Sequence, residues 1–493
     1  MIMIVIITLI VREDGGMVFI GREHELKALR SLYERDQFDM IVVYGRRRVG
    51  KTSLIDEFAK GRKTLYFTAL QQSPALNLQA FSERIYEFFG MPDGLPAFAS
   101  WQAAFSFISQ RAQVNPREPW LLVFDEFPYA AASEPSLPSV LQIAIDHGLK
   151  NTSVTMILSG SNEGFMESHV LGSKSPLYGR RTAQIHLQPF DFLDAARFLP
   201  STTPEDLVRY YATFGGTPYY LALLDSTASY EENVRALIYD KLGLLYEEPM
   251  MLLRQELREP GQYYSVLQAV ASGSSTPKLI AEHACVETNA VNGYLRTLEG
   301  LNLVRKQVPF GDDPAKSRKG MYLIDDPFFA YWFRFVGRRI DAIERDTSTG
   351  TIVARSVTES PAFATYVGQR FELICMQWLA HANGAGRLPF LATTYGKWWG
   401  TDPRTREQTD IDVIAADPES QNILLGECKW RNMLDETQAI DALHARTGLV
   451  RGYKRHHYAL FTKNPVSEGT KAKCEADGTL LIDARGLYES LNS

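Results

Sequence analysis

The sequence is sparing with cysteine. Four occur in 493 residues, Cys285, Cys375, Cys428 and Cys474, and no two are spaced as metal ligands or as a disulfide framework. That argues against structural zinc and for a reducing, cytoplasmic compartment. Nor is there an excess of positive charge. With 52 Lys+Arg against 58 Asp+Glu, the net charge is -6, so any nucleic-acid contact needs a local patch. Long apolar runs are also missing. The longest, Met1 to Val11, falls short of the roughly 20 residues that span a bilayer, and it lacks the basic flank and small-residue cleavage site of a signal peptide. It reads as an over-extended start with Met17 as the natural first residue, or alternatively as an extra edge strand, and no membrane is expected. What remains is an ordinary globular composition, 45% hydrophobic and 22% charged, in a chain long enough for three or so domains.

One stretch organises that chain. Gly45-Arg46-Arg47-Arg48-Val49-Gly50-Lys51-Thr52 fits G-x-x-x-x-G-K-[ST]. Met40 to Tyr44 before it is a β-branched apolar run, the mark of a buried strand, and Ser53 to Phe58 after it opens a helix. Strand, glycine loop and helix aim backbone N–H groups and a helix N-terminus at phosphate. The expected ligand is ATP with Mg²⁺: Gly45 to Ser53 cradle the phosphates, Lys51 reaches the β- and γ-phosphates, and the Thr52 hydroxyl ligates the metal. Trp120 to Phe124 then forms a strand ending in Asp125-Glu126, where open α/β sheets bind ligand. Asp125 is expected on Mg²⁺ and Glu126 on the attacking water. A further strand, Val154 to Ser161, puts Ser159 or Ser161 near the γ-phosphate as a sensor. Arg180 and Arg181 are candidates to neutralise transition-state charge, in cis or across a subunit interface. Thr64 to Thr68 reads as another strand and residues 77–90 and 97–112 as helices, while Gly215-Gly216-Thr217-Pro218 is a tight turn in a helical lid.

Together, Gly21-Arg22-Glu23, the phosphate loop, Phe124-Asp125-Glu126, Ser159-Gly160-Ser161 and Gly215-Gly216-x-Pro218 resemble the archaeal-type AAA ATPases of the STAND-like branch, over roughly residues 18–250. The resemblance implies a nucleotide-gated switch, often a homo-oligomer.

Residues 262–325 read as three short helices and a hairpin, a winged helix. Thr276 caps the second helix with Pro277 at its first position, and Thr288 caps the third. Asn289, Asn292 and Arg296 face outward from the third helix, and Arg305, Lys306, Lys316, Arg318 and Lys319 lie on the wing. That composition suits phosphate contact better than base reading, and a packing role is the alternative. The aromatic stretch Phe328 to Phe335 reads as core.

Further on, a helix around residues 368–379 carries Glu372, a strand from Thr409 carries Asp412, and a second strand carries Glu427-x-Lys429. This matches D-(x)n-E-x-K. Residues two apart on a strand share a face, so Glu427 and Lys429 point together and hairpin pairing is expected to bring Asp412 beside Glu427. Asp412, Glu427 and Glu372 then become candidate Mg²⁺ ligands, with Lys429 orienting the hydrolytic water. Tyr395 to Gly400, Ile411-Asp412-Val413 and Gly426 to Trp430 resemble the PD-(D/E)xK nuclease fold and, more closely, the C-terminal domain of uncharacterised function fused to archaeal-type ATPases; Asp410 stands where those sequences usually have glutamate.

The resulting expectation is an α/β chain: a P-loop AAA-type parallel sheet at 18–195, a helical lid at 196–260, a winged helix at 261–327, and a restriction-endonuclease-like α/β domain at 328–465 with the 466–493 tail packed on it. Functionally, it is an ATP-hydrolysing switch coupled to a nuclease-like domain that binds or cleaves DNA. The alternative is a regulatory ATPase whose C-terminal fold binds without cutting.

Overall fold

The computed structural model describes residues 9–11 and 17–489. Leu9–Val11 pairs antiparallel with Met17–Phe19. The other residues before Met17, on which the reading of an over-extended start also bears, lie outside the described residues. The described residues divide into two compact bodies, one of residues up to 189 plus 217–222 and one of 190–216 plus 223 onward.

The first body is built on five strands, all parallel, in the order Thr64–Thr68, Trp120–Asp125, Val154–Gly160, Asp39–Tyr44, Ala183–His186. Asp39–Tyr44, Trp120–Asp125 and Val154–Gly160 are buried end to end, because helices cover both faces of a parallel sheet. Alternation sorts their side chains. Met40, Val42, Leu122, Phe124, Met156 and Leu158 join one apolar cluster, while Ile41, Val43, Leu121, Val123 and Ile157 join the other. On the first face Phe67, Phe81, Trp101 and Phe124 form an aromatic knot with centroids 5.0–6.3 Å apart. The helices Pro74–Phe88 and Trp101–Val114 that carry Phe81 and Trp101 start on Ser73 and Ser100, whose side chains accept the Leu76 and Ala103 N–H. The strand Ala183–His186 has no counterpart among the sequence expectations.

In the second body the helix Pro204–Phe214 ends at Gly215-Gly216. A Cβ on Gly216 would stand 1.7 Å from the Phe190 carbonyl oxygen, so no other residue fits that turn. Pro260–Ala271, Pro277–Ala284 and Thr288–Gly300 are the three expected short helices, and Val304–Gln307 pairs antiparallel with Met321–Ile324. Thr276 caps as expected. Thr288 does not: it is the first helical residue, and Glu287 takes the cap position without a side-chain hydrogen bond. The aromatic run is core, with Phe328, Phe329, Tyr331, Trp332, Phe333 and Phe335 all buried.

After the long helix Pro361–Gly384, five strands follow in order: Thr394–Thr401, Gln408–Asp417 and Asn422–Lys429 antiparallel, then Arg455–Thr462 and Leu480–Asp483 parallel to the third. The helix Glu436–Ala445 makes the crossover that parallel pairing requires. The tail thus supplies the sheet's last strand instead of merely packing on it. Among the described residues no helix is long and apolar enough to cross a membrane.

Candidate functional site

At the carboxyl end of the first sheet, Tyr44 leads into the loop and Gly50, at φ 89°, turns it into the helix Lys51–Ala59. Gly45 is fixed by space: a Cβ there would lie 2.4 Å from the Leu187 carbonyl oxygen. The buried Lys51 ammonium donates to the Gly45 and Arg46 carbonyl oxygens at 2.9 and 3.0 Å. Thr52 is in the helix's first turn, and its hydroxyl donates to Asp125 Oδ2 at 3.3 Å; Tyr66 OH donates to the same oxygen at 3.3 Å. Burial pushes the Asp125 carboxyl above its ordinary range, against the neighbouring Ser159 hydroxyl and Lys51 charge. A hydroxyl and a carboxylate side by side at a helix N-terminus are hard oxygen donors of the kind Mg²⁺ takes.

Glu126 follows in the left-handed region at φ 50°, a conformation that costs energy for a residue with a Cβ. Its Oε2 accepts from Ser161 Oγ at 2.8 Å and from the Ser161 N–H at 3.2 Å. The strand order explains the meeting. Val154–Gly160 lies between the phosphate-loop strand and the Asp125 strand, so its end faces both. Of the two serines, Ser159 lies beside Asp125 and Ser161 holds Glu126.

The loop arginines reach outward. Arg46 donates to the Thr217 hydroxyl, Arg47 to the Tyr129 hydroxyl, and the Arg48 guanidinium lies 4.7 Å above the Tyr219 ring centroid. Arg22, quoted in the sequence only as part of a likeness, donates to the Val49 carbonyl at 3.2 Å and to the Gln188 carbonyl. Its signal was an arginine directly before an amphipathic helix. Arg180 forks onto Asp146 at 2.9 and 2.7 Å, and Arg181 donates to the Leu171 carbonyl at 3.2 Å.

The second candidate site has a different build. Glu427 is buried, and both its oxygens are taken, one by Lys429 and one by Arg446, so Glu427 and Lys429 do point together. Asp412 lies close to Glu427, whose charge adds to burial in raising its pKa, and also meets Lys397. Gly396 pairs with Ile414 but Trp398 with Ile411, so Asp412 and Val413 together oppose Lys397. This is a β-bulge. It breaks the alternation, leaving Ile411 and Ile414 in one apolar cluster with Leu425 and Leu443. Asp412 Oδ2 accepts the Cys428 N–H at 2.9 Å, and its Oδ1 lies 3.4 Å from Lys397 Nζ. Lys397 also meets Glu372 at 2.7 Å and Asp410 at 3.4 Å.

The expected ion ligands Glu372, Asp412 and Glu427 therefore do not converge. Among the described residues no three His, Cys, Asp or Glu side chains gather as a metal-binding group. Lys397, a residue not anticipated there, lies among Glu372, Asp410 and Asp412 and supplies the positive charge. The acids still sense one another. Burial and the Asp412 charge push Glu372 up to about 7, and burial and the Glu427 charge raise Asp412. A cleft of about 720 Å³ opens beside them, walled by Arg305 and Gln307 of the hairpin, Arg370 and Glu372 of the long helix, and Lys397 and Asp412 of the sheet. The expected basic patch is partly self-neutralised: Arg305 pairs with Asp325 at 2.8 Å and Lys316 with Asp313 at 3.6 Å.

A parallel five-stranded sheet with a phosphate loop at its carboxyl edge, followed by a mixed sheet in a second body, is the build of a P-loop ATPase domain joined to a further domain. Residues 19–224 match the family described as an ATPase domain predominantly from Archaea, and residues 332–440 match one described as archaeal and bacterial proteins of unknown function. An uncharacterized protein of Methanocaldococcus jannaschii is 30% identical over 426 residues, 85% of this chain and 89% of the relative. The chain belongs to that family of archaeal-type ATPases. A second relative from the same organism, an uncharacterized ATP-binding protein, is 41% identical over 49 residues, 10% of this chain and 83% of the relative. Among solved structures, a Walker-type ATPase of Pyrococcus abyssi is 18% identical at a TM-score of 0.46, covering 66% of this chain and 97% of its own. The Aeropyrum pernix ORC2 protein is 14% identical at 0.41, covering 69% and 95%.

Proposed function

We propose that this cytoplasmic protein binds and hydrolyses ATP at the Gly45–Ser53 loop and uses the cycle as a switch. The observation that carries the reading is the meeting of Thr52 and Asp125 at 3.3 Å beside a glutamate held by Ser161. The loop amides and the helix N-terminus bind the phosphates, and Lys51 leaves the loop carbonyls for the β- and γ-oxygens. Thr52 and Asp125 would hold Mg²⁺, which would supply positive charge against the phosphates. Glu126 orients and deprotonates the attacking water, and Ser159, beside Asp125, is the candidate sensor of the γ-phosphate. Arg180 or Arg181 is the candidate for meeting the transition-state charge, in a homo-oligomer from a neighbouring subunit. Lys51→Ala should abolish phosphate release from ATP and weaken nucleotide binding; unchanged turnover refutes the site.

For the second body we propose the division into a helical lid, a winged helix and a nuclease-like domain, with DNA as the partner. The cleft beside Glu372, Asp412 and Lys397, with the hairpin as one wall, supports a nucleic-acid contact there. Two readings follow. Cleavage is favoured by the closeness of Asp412 to Glu427, since Asp412 Oδ2 accepts the N–H of the neighbouring Cys428 at 2.9 Å and acids that close are within reach of a shared Mg²⁺ after a side-chain rearrangement. Binding without cutting is favoured by the occupation of every acid by a lysine or arginine, and it is the reading the geometry supports better. Incubation of the purified protein with plasmid and Mg²⁺, beside Glu427→Ala, separates them. Cleavage lost in the variant establishes the nuclease, and equal results in both leave the binding role.

A further inference from the structure

The arginines of the phosphate loop are not needed by the mechanism above, yet each is engaged. Arg46 is buried, and its guanidinium donates to the Thr217 hydroxyl, itself 1% exposed. Arg48, in the left-handed region at φ 71°, lays its guanidinium over Tyr219 at 4.7 Å. Both partners belong to 217–222, a six-residue piece that packs with the first body while the chain on either side of it belongs to the second. The other end of the connection is Lys51, whose ammonium is bound to the carbonyl oxygens of Gly45 and Arg46 themselves.

We infer that Arg46 and Arg48 form a nucleotide-released latch on Thr217–Ala222. The inference rests on the proposed ATP site and adds a regulatory route to it. Lys51 ties the loop closed through the Arg46 carbonyl, and the Arg46 side chain grips Thr217. A triphosphate draws the Lys51 ammonium off that carbonyl, so the backbone carrying the grip changes shape. It also offers two guanidinium groups a multiply charged anion, and charge-assisted hydrogen bonds to phosphate are stronger than those to a neutral hydroxyl. Both effects loosen 217–222, and the contacts from Lys51 through Arg46 to Thr217 are continuous, as physical coupling requires.

Hydrogen exchange of the full-length protein, read by mass spectrometry over peptides covering 217–222, tests this with ATPγS and Mg²⁺ as the probe. In the wild type, exchange in that segment should rise at least fivefold at saturation, with saturation shown by an independent binding titration. Thr217→Val removes the hydroxyl at nearly constant shape. It should show the raised exchange without nucleotide and no further change with it, while its affinity for ATPγS rises by about the same factor, as linkage requires. Tyr219→Leu, which removes the ring under Arg48, should behave the same way and guards against a folding defect in the first variant. Saturation of the wild type with no change at 217–222 overturns the latch and leaves the nucleotide site standing. Failure of ATPγS to bind at all overturns both.

Discussion

The two candidate sites of this chain are specified in different ways. The phosphate loop is eight consecutive residues between a strand and a helix, and its shape is set by the glycines inside it and by the carbonyl that a Cβ on Gly45 would strike. The acids of the second body come from a helix and two strands, and their meeting depends on register. Asp412 shares Lys397 with Glu372 across a bulge, while Glu427 is held by Lys429 and Arg446. A motif contiguous in sequence carries its geometry with it; one assembled across strands inherits every bulge.

The largest effect that would break this contrast is at Glu126. General-base catalysis contributes roughly 10²–10⁴-fold, so Glu126→Gln should lower kcat for ATP by about that factor while nucleotide affinity changes only a few-fold. Steady-state phosphate release with a parallel binding titration reads both. A variant with near-normal kcat would mean that the contiguous loop is well formed but its water is activated from elsewhere.

Next is Ser161. Its hydroxyl bonds a charged acceptor, an interaction contributing about 1.5–3 kcal/mol, and Glu126 stands in a left-handed conformation that needs support. Ser161→Ala should therefore reduce kcat by about tenfold or more, and Ser161→Thr should largely restore it. An unaffected kcat in Ser161→Ala would show that the strained Glu126 backbone alone aims the carboxylate.

How far each site was legible follows from the same contrast. The strands Thr64–Thr68 and Trp120–Asp125 and the tight turn at Gly216 could be read because apolar runs and glycines are local signals. Ala183–His186 could not: a four-residue edge strand of mixed polarity has too little periodicity to stand out. The Glu427–Lys429 pairing was legible, because period two holds along an unbroken strand. The bulge opposite Lys397 was not, because it leaves no mark in a sequence that keeps its hydrophobic residues, and Lys397 gave no sign of lying among acids contributed by other elements. Cap assignment at Thr288 failed by one residue, within the ordinary imprecision of helix ends.

The register argument is sharpened by a double-mutant cycle on Asp412→Asn and Glu427→Gln, followed by chemical denaturation with and without Mg²⁺. Residues sharing a network or an ion couple by about 0.5–3 kcal/mol, and independent ones add within about 0.5 kcal/mol. Separate pairing, Asp412 with Lys397 and Glu427 with Lys429 and Arg446, should give a small coupling term that Mg²⁺ leaves unchanged. A coupling that appears only with the metal would restore the shared-ion site.

The smallest effect lies where the second body pins its own chain, at Asp191 and His381. Asp191 Oδ2 accepts from His381 Nε2 at 2.6 Å, while its Oδ1 caps the helix Phe192–Ala196 by accepting from the Leu193 and Asp194 N–H groups. The Asp191 hydrogen bond raises the His381 pKa, and although burial pushes Asp191 up, that bond and the helix N–H groups bring it below its ordinary value. A raised histidine contributes stability that is complete below about pH 6.5, its unfolded value, and is lost as pH climbs through the folded value; the depressed aspartate contributes above about pH 3.9 and loses it on acidification. The pair therefore acts most strongly between those limits. The Tm of the wild type should exceed that of His381→Gln by more at pH 6 than at pH 8.5, by a margin of a degree or two because the ring is half exposed to solvent. A difference independent of pH would mean that His381 acts through packing against Phe192 and not through its charge.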